Sequence, residues 1–255
     1  MKITKRVIVS GVLLWMPMSA VHAEDGYDVA QDWPSPMEEH AMGSARFDRL
    51  EYAIPDKGPE ALVWEFEGWY GGDINRLYLK SEGSNVQGDD QDAEFESLEL
   101  LYSRLVADFW EAQVGLGHQG GVFSNDYAKR TYGVFGLMGT MPYGIETDVA
   151  LRVSEDGDAW ATLEGEYDLR LTQRLTLQPR TEILLAGSET KEFEIFEGMN
   201  SMRVGMRLGY EVSRRFVPYV GGYWEKQYGD AADHSRAHGE PTEDTGVVAG
   251  VRLMF

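Results

Sequence analysis

From Phe47 to the carboxyl terminus, apolar and polar residues alternate in stretches separated by turn residues. A period of two means strands whose two faces meet different surroundings, because successive side chains of a strand point to opposite sides. Twelve such segments begin near Arg46, Leu62, Asn75, Glu94, Phe109, Thr131, Tyr143, Trp160, Leu175, Asn200, Val217 and Thr245. The connections alternate too. Gly72-Asp73-Ile74, Ala107-Asp108, Met141-Pro142, Thr172-Gln173-Arg174 and Ser213-Arg214-Arg215-Phe216 are tight, while Val86 to Ala93, Gly120 to Arg130, Ser188 to Met199 and Asp230 to Asp244 are long and polar. Short turns at one end and longer loops at the other are the plan of an outer-membrane barrel. The predicted fold is all-β: a transmembrane antiparallel β-barrel of about 12 strands, in the bacterial outer membrane with both chain ends in the periplasm. Alternation alone also suits a soluble sandwich or a lipocalin-like barrel.

What precedes the barrel supports export. Lys2, Lys5 and Arg6, the apolar run Val7 to Met16, and Val21-His22-Ala23 follow the three-part plan of a secretory signal peptide, here residues 1–23. Residues 24–45, with Pro34 and Pro36 and no hydrophobic period, read as a flexible periplasmic leader, and residues 46–255 as the barrel. After the amino terminus no run of about 18 apolar residues occurs, so any span must be made of strands. Trp64, Phe66, Trp69, Tyr70, Tyr102, Phe109, Trp110, Tyr132, Tyr143, Tyr167, Tyr210, Tyr219 and Trp224 lie mostly near predicted strand ends, where they would form the two aromatic girdles of the lipid interface. The last segment ends on Phe255, resembling the terminal strand by which barrel-assembly machinery recognises its clients.

Charge and residue usage exclude several functions. The chain carries a net charge of −20, which repels nucleic acid and makes cations its natural counter-ions. With no cysteine there is no disulfide, thiolate metal site or lipid-modified cysteine. If the apolar strand faces meet outer-membrane lipid, the alternate faces put Arg76, Lys80 and Glu82, then Glu164, Glu166, Asp168 and Arg170, then Gln178, Arg180 and Glu182 into the lumen. Such a lumen reads as mostly filled, with a restricted polar path, or as an open ion-conducting pore. Glu164, Glu166, Asp168, Arg170 and Arg180 are its candidate working residues. There is no nucleophile elbow, phosphate-cradling glycine loop or paired histidines at zinc spacing, so the chain is not expected to be an enzyme. A phospholipase of the outer-membrane kind is the enzymatic alternative and a general small-solute channel the transport one.

Many stretches, in order, resemble one known family. They include Phe47-Asp48-Arg49-Leu50-Glu51-Tyr52, Trp69-Tyr70-Gly71-Gly72-Asp73, Leu77-Tyr78-Leu79-Lys80-Ser81-Glu82-Gly83, Glu164-Gly165-Glu166-Tyr167-Asp168-Leu169, Leu177-Gln178-Pro179-Arg180 and Pro218-Tyr219-Val220-Gly221. The family is the copper resistance protein B family of outer-membrane proteins, and the resemblance runs from about Phe47 to Phe255. It implies copper tolerance, with copper ion bound or transported, by export or sequestration, alongside periplasmic copper-resistance proteins. Many members carry a long leader rich in methionine and histidine. Here the leader offers only Met37, His40 and Met42, soft donors apt for Cu(I) that read equally as ordinary linker residues. His234 and His238, four apart in an acidic stretch, suit Cu(II), against the plainer reading of a solvated loop.

Overall fold

A computed structural model describes residues 41–86, 94–120, 129–190, 193 and 195–255. Its strands are β1 (Met42–Pro55), β2 (Ala61–Gly71), β3 (Asn75–Val86), β4 (Glu94–Ala107), β5 (Trp110–Gln119), β6 (Arg130–Met141), β7 (Ile145–Ser154), β8 (Ala159–Tyr167), β9 (Leu169–Arg170), β10 (Leu175–Ala186), β11 (Gly198–Tyr210), β12 (Phe216–Gln227) and β13 (Glu243–Met254). Each pairs antiparallel with its neighbours in sequence, save that β8 and β9 both pair with β10 and form one stave interrupted at Asp168. β1 pairs with β13 from Arg46↔Met254 to Pro55↔Gly246, so twelve staves close into a barrel without a free edge. The expected starts agree with the observed ones to within four residues, β1 beginning at Met42 rather than Arg46.

The barrel is inside-out relative to a soluble protein. Leu77, Leu79, Leu100, Val114, Leu116, Phe135, Leu137, Leu151, Leu163, Val220 and Val247 are exposed on its outer wall, whereas Glu51, Glu99, Ser103, Gln113, Arg180 and Arg207 are buried within. An apolar band of this extent faces lipid. Exposed Tyr70, Tyr102, Phe109, Tyr143, Tyr210, Phe216 and Phe255 gather at the end of the tight turns, the place of an interfacial girdle. Tyr132 and Tyr219, expected in a girdle, are instead buried in the lumen, where their hydroxyls donate to Glu99 and Glu51. No helix among the described residues is long and apolar enough to cross a membrane.

Two features depart from simple alternation. In β1, Phe47 pairs with Phe66 but Arg49 with Glu65, so Asp48 is an extra residue, a bulge. It resets the parity, and Arg49, Glu51 and Ala53 become the buried positions. The second departure corrects the expectation of a solvated loop at Asp230 to Asp244. Gly229–His238 form helix α1, which buries Ala231, Ala232 and Ser235 and packs against β11. Small side chains permit that close approach, and Gly239, at φ 79°, ends the helix in the left-handed region, its N–H bonded to the carbonyl of Arg236.

The interior is divided by chemistry. Along β3 to β8, Tyr78, Leu101, Tyr132, Val134, Ala150 and Trp160 pack into an apolar core that Ile195 joins from the β10–β11 connection. Arg130 lies between the rings of Trp160 and Phe193, 3.7 and 3.9 Å from their centroids. Charged residues line the remainder.

Candidate functional site

Inward positions of eight staves bring charged groups together in one space. At the turn end lies a vestibule of about 570 Å³ lined by Arg46, Asp48, Glu65, Glu67, Arg76, Lys80, Glu82, Glu111, Glu146, Asp148, Glu164, Glu166, Asp168, Arg180 and Arg252. Ten carboxylates thus face five cationic side chains, a formal excess of five negative charges. Met138 and Met254 line it as well, and Met42 stands on the same face of β1 as Arg46, further toward the rim. A separate space of about 190 Å³ lies toward the loop end, lined by Arg49, Glu82, Glu182, Arg203 and Tyr223 among others.

Ion pairs span the lumen at successive levels. Arg76 binds Glu111 at 2.8 Å, and Glu111 also accepts from Ser103 and Tyr78. Lys80 of β3 reaches Asp148 of β7 at 2.5 Å, and Arg152 of β7 reaches Glu99 of β4 at 2.6 Å, where Tyr132 also donates. Glu51 of β1 takes two bonds from Arg207 of β11, at 2.9 and 2.8 Å, and one from Tyr219. Glu65 of β2 receives Arg49 at 2.5 Å and Arg180 of β10 at 2.8 Å. Paired in this way the charges satisfy one another away from bulk water, whereas any partner left alone there would be costly.

Of the lumen residues expected from the sequence, Arg180, Glu164 and Glu166 meet: Arg180 is 2.5 Å from Glu164 and 3.9 Å from Glu166. Asp168 accepts from Gln178 at 2.9 Å at the break in the β8–β9 stave. Arg170 is exposed and lines a smaller pocket of about 110 Å³ at the turn end with Asp168, Gln178, Arg207 and Glu211. Glu65, Glu67, Glu99 and Asp148 were not singled out, although alternation on β2, β4 and β7 marks them as inward. Arg49 and Glu51 carry no such signal, because the Asp48 bulge shifts their parity.

The metal-donor candidates are scattered. Met37 and His40 lie outside the described residues. Met42 belongs to β1 rather than to a flexible segment, and is exposed. His234 and His238 are neighbours on α1, with ring centroids 4.2 Å apart and His234 stacked on Phe196 at 4.9 Å. Among the described residues no three His, Cys, Asp or Glu side chains converge as a ligand set.

Comparison with known proteins agrees with this architecture. Among solved structures, the NanC porin superposes with a TM-score of 0.51 at 13% identity, covering 83% of this chain and 99% of the porin, a likeness of fold alone. A copper resistance protein B homolog of Pseudomonas syringae pv. tomato is 34% identical over 208 residues, 82% of this chain and 68% of the relative. Copper resistance protein B of Escherichia coli is 32% identical over the same share of each. Residues 41–255 match the family described as copper resistance protein B precursor (CopB). With its closed barrel, lipid-facing wall and charged lumen, the chain belongs to the copper resistance protein B family of the bacterial outer membrane.

Proposed function

We propose that the barrel protects the cell from copper by binding the ion and passing it across the outer membrane, without making or breaking covalent bonds. The observation that carries this reading is the turn-end vestibule, with ten carboxylates against five cationic groups. A cleft lined by an excess of one sign within low-dielectric walls concentrates the opposite ion. Carboxylates are hard ligands and suit copper poorly, so the vestibule gathers cations by charge while softer donors supply preference. Those donors are Met37, His40 and Met42 ahead of and at the start of β1, for Cu(I), and His234 with His238, one helical turn apart, for Cu(II). With both ends in the periplasm the vestibule opens toward periplasmic copper-resistance proteins, which would exchange the ion there.

Deletion of this protein from its host is expected to lower copper tolerance and change cell-associated copper. Unchanged tolerance and copper content would sink the reading. Titration of the purified barrel with Cu(I) and Cu(II) separately then locates the donors. Cu(I) binding lost when Met37, His40 and Met42 are all changed to alanine places the soft site at the start of β1, and Cu(II) binding lost in His234→Ala places the harder one on α1.

A second reading, a general small-solute channel, is favoured by the two chambers lying in line along the lumen. Passage of uncharged sugars into vesicles carrying the barrel would support it against a cation path.

A further inference from the structure

The two chambers are separated at one level. There Arg180 of β10 donates to Glu65 of β2 at 2.8 and 3.4 Å and to Glu164 of β8 at 2.5 Å. β2 and β10 are five strands apart around the ring, so the Arg180–Glu65 pair crosses the lumen instead of running along its wall. Arg49 holds the same Glu65 from β1 at 2.5 Å. A space of about 10 Å³ lined by Arg49, Glu51, Arg180, Glu182, Arg203, Arg207 and neighbours adjoins both chambers, sharing Arg180 with the vestibule and Arg49, Glu182 and Arg203 with the loop-end chamber.

The charges at this level are unequal. Glu51, Glu65, Glu82, Glu164 and Glu182 face Arg49, Arg180, Arg203 and Arg207, five carboxylates against four guanidinium groups, and Glu82 borders both chambers. Among the described residues neither Glu82 nor Glu182 has an ion-pair partner within 4 Å. Were the Arg180 guanidinium to leave, the walls left behind would be rich in carboxylate.

We propose that Arg180 is the removable closure of this lumen and the residue that sets its ion selectivity. With the guanidinium across the lumen the chambers are separate. With it withdrawn they join into a path lined by Glu65, Glu82, Glu164 and Glu182, which passes cations and rejects anions. A divalent cation gathered in the vestibule competes with Arg180 for Glu65 and Glu164, so the cargo itself opens the closure. The inference rests on the reading that the barrel passes ions, and it deepens that reading by naming the gate.

The test is planar-bilayer recording in potassium chloride of the purified full-length barrel, its Arg180→Gln variant and its Glu65→Gln variant, each first shown to be folded by heat-modifiable migration. Arg180→Gln is expected to raise conductance several-fold with a cation-selective reversal potential. Glu65→Gln, which frees the guanidinium from β2 but also removes a carboxylate, is expected to raise conductance with weaker cation preference. Magnesium chloride on the vestibule side should raise wild-type conductance and leave Arg180→Gln unchanged. Variants that conduct no better than a conducting wild type would overturn the gate while leaving passage intact. Silence of all three proteins would overturn both gate and passage, and copper titration would still judge binding separately. Anion-selective variants would overturn the assignment of selectivity.

Discussion

At the scale of single residues the interior is a set of charges that tolerate each other only in pairs. Glu51, 3% exposed, holds Arg207 through two hydrogen bonds and Tyr219 through a third. Glu51→Gln leaves the buried Arg207 without its countercharge, and breaking a buried pair by removing one partner costs about 3 to 5 kcal/mol. Arg203→Gln breaks a pair with Glu225 whose side chains are each more than a third exposed, and should cost less than about 1 kcal/mol. Urea titration of barrels folded in detergent checks both, and equal losses would show that burial does not govern these pairs. Alternation was enough to place Arg180, Glu164 and Glu166 inside. Which carboxylate Arg180 holds was not legible, because Glu65 lies 115 residues away in the chain and meets it only when the sheet has closed.

Elements depend on where side chains are missing as much as on where they are present. A Cβ built on Gly117 in β5 would lie 2.2 Å from the ring of Tyr132 in β6. That ring is buried and its hydroxyl donates to Glu99, so it has little freedom to move away. Gly117→Ala should therefore destabilise the barrel by about 1 to 3 kcal/mol through overpacking. Gly133→Ala, whose Cβ would find nothing closer than 4.0 Å, should be nearly neutral and serves as the control. The denaturation midpoint distinguishes the two. Helix α1 shows the limit of reading elements from pattern: His234 and His238 look like loop residues in a polar stretch, and the helix forms because Ala231, Ala232 and Ser235 find β11 to pack on.

For the whole molecule, closure is the decisive event, and it joins the two ends of the described chain. Ala45 and Phe255 exchange backbone hydrogen bonds at 3.3 and 2.8 Å, and Ser44 donates to the same Phe255 carbonyl at 3.4 Å. Removal of Phe255 deletes these bonds at the seam and is expected to lower the fraction of chains that reach the heat-modifiable form in vesicles; an undiminished fraction would show that the seam is secured from Phe47 onward alone. The sequence by itself determined the number of staves, their starts, the apolar face turned to lipid and the crowding of the lumen with charge, because a period of two and the spacing of turns are local properties of the chain. It also carried the family, through matching stretches spread along the barrel. Only the tertiary structure decided that one bulged residue, Asp48, turns Arg49 and Glu51 inward, that apolar side chains fill the lumen beside β3 to β8, and that Arg180 lies across the remainder against Glu65. Those are relations between strands far apart in the chain, and a lumen has no contents until the first strand meets the last.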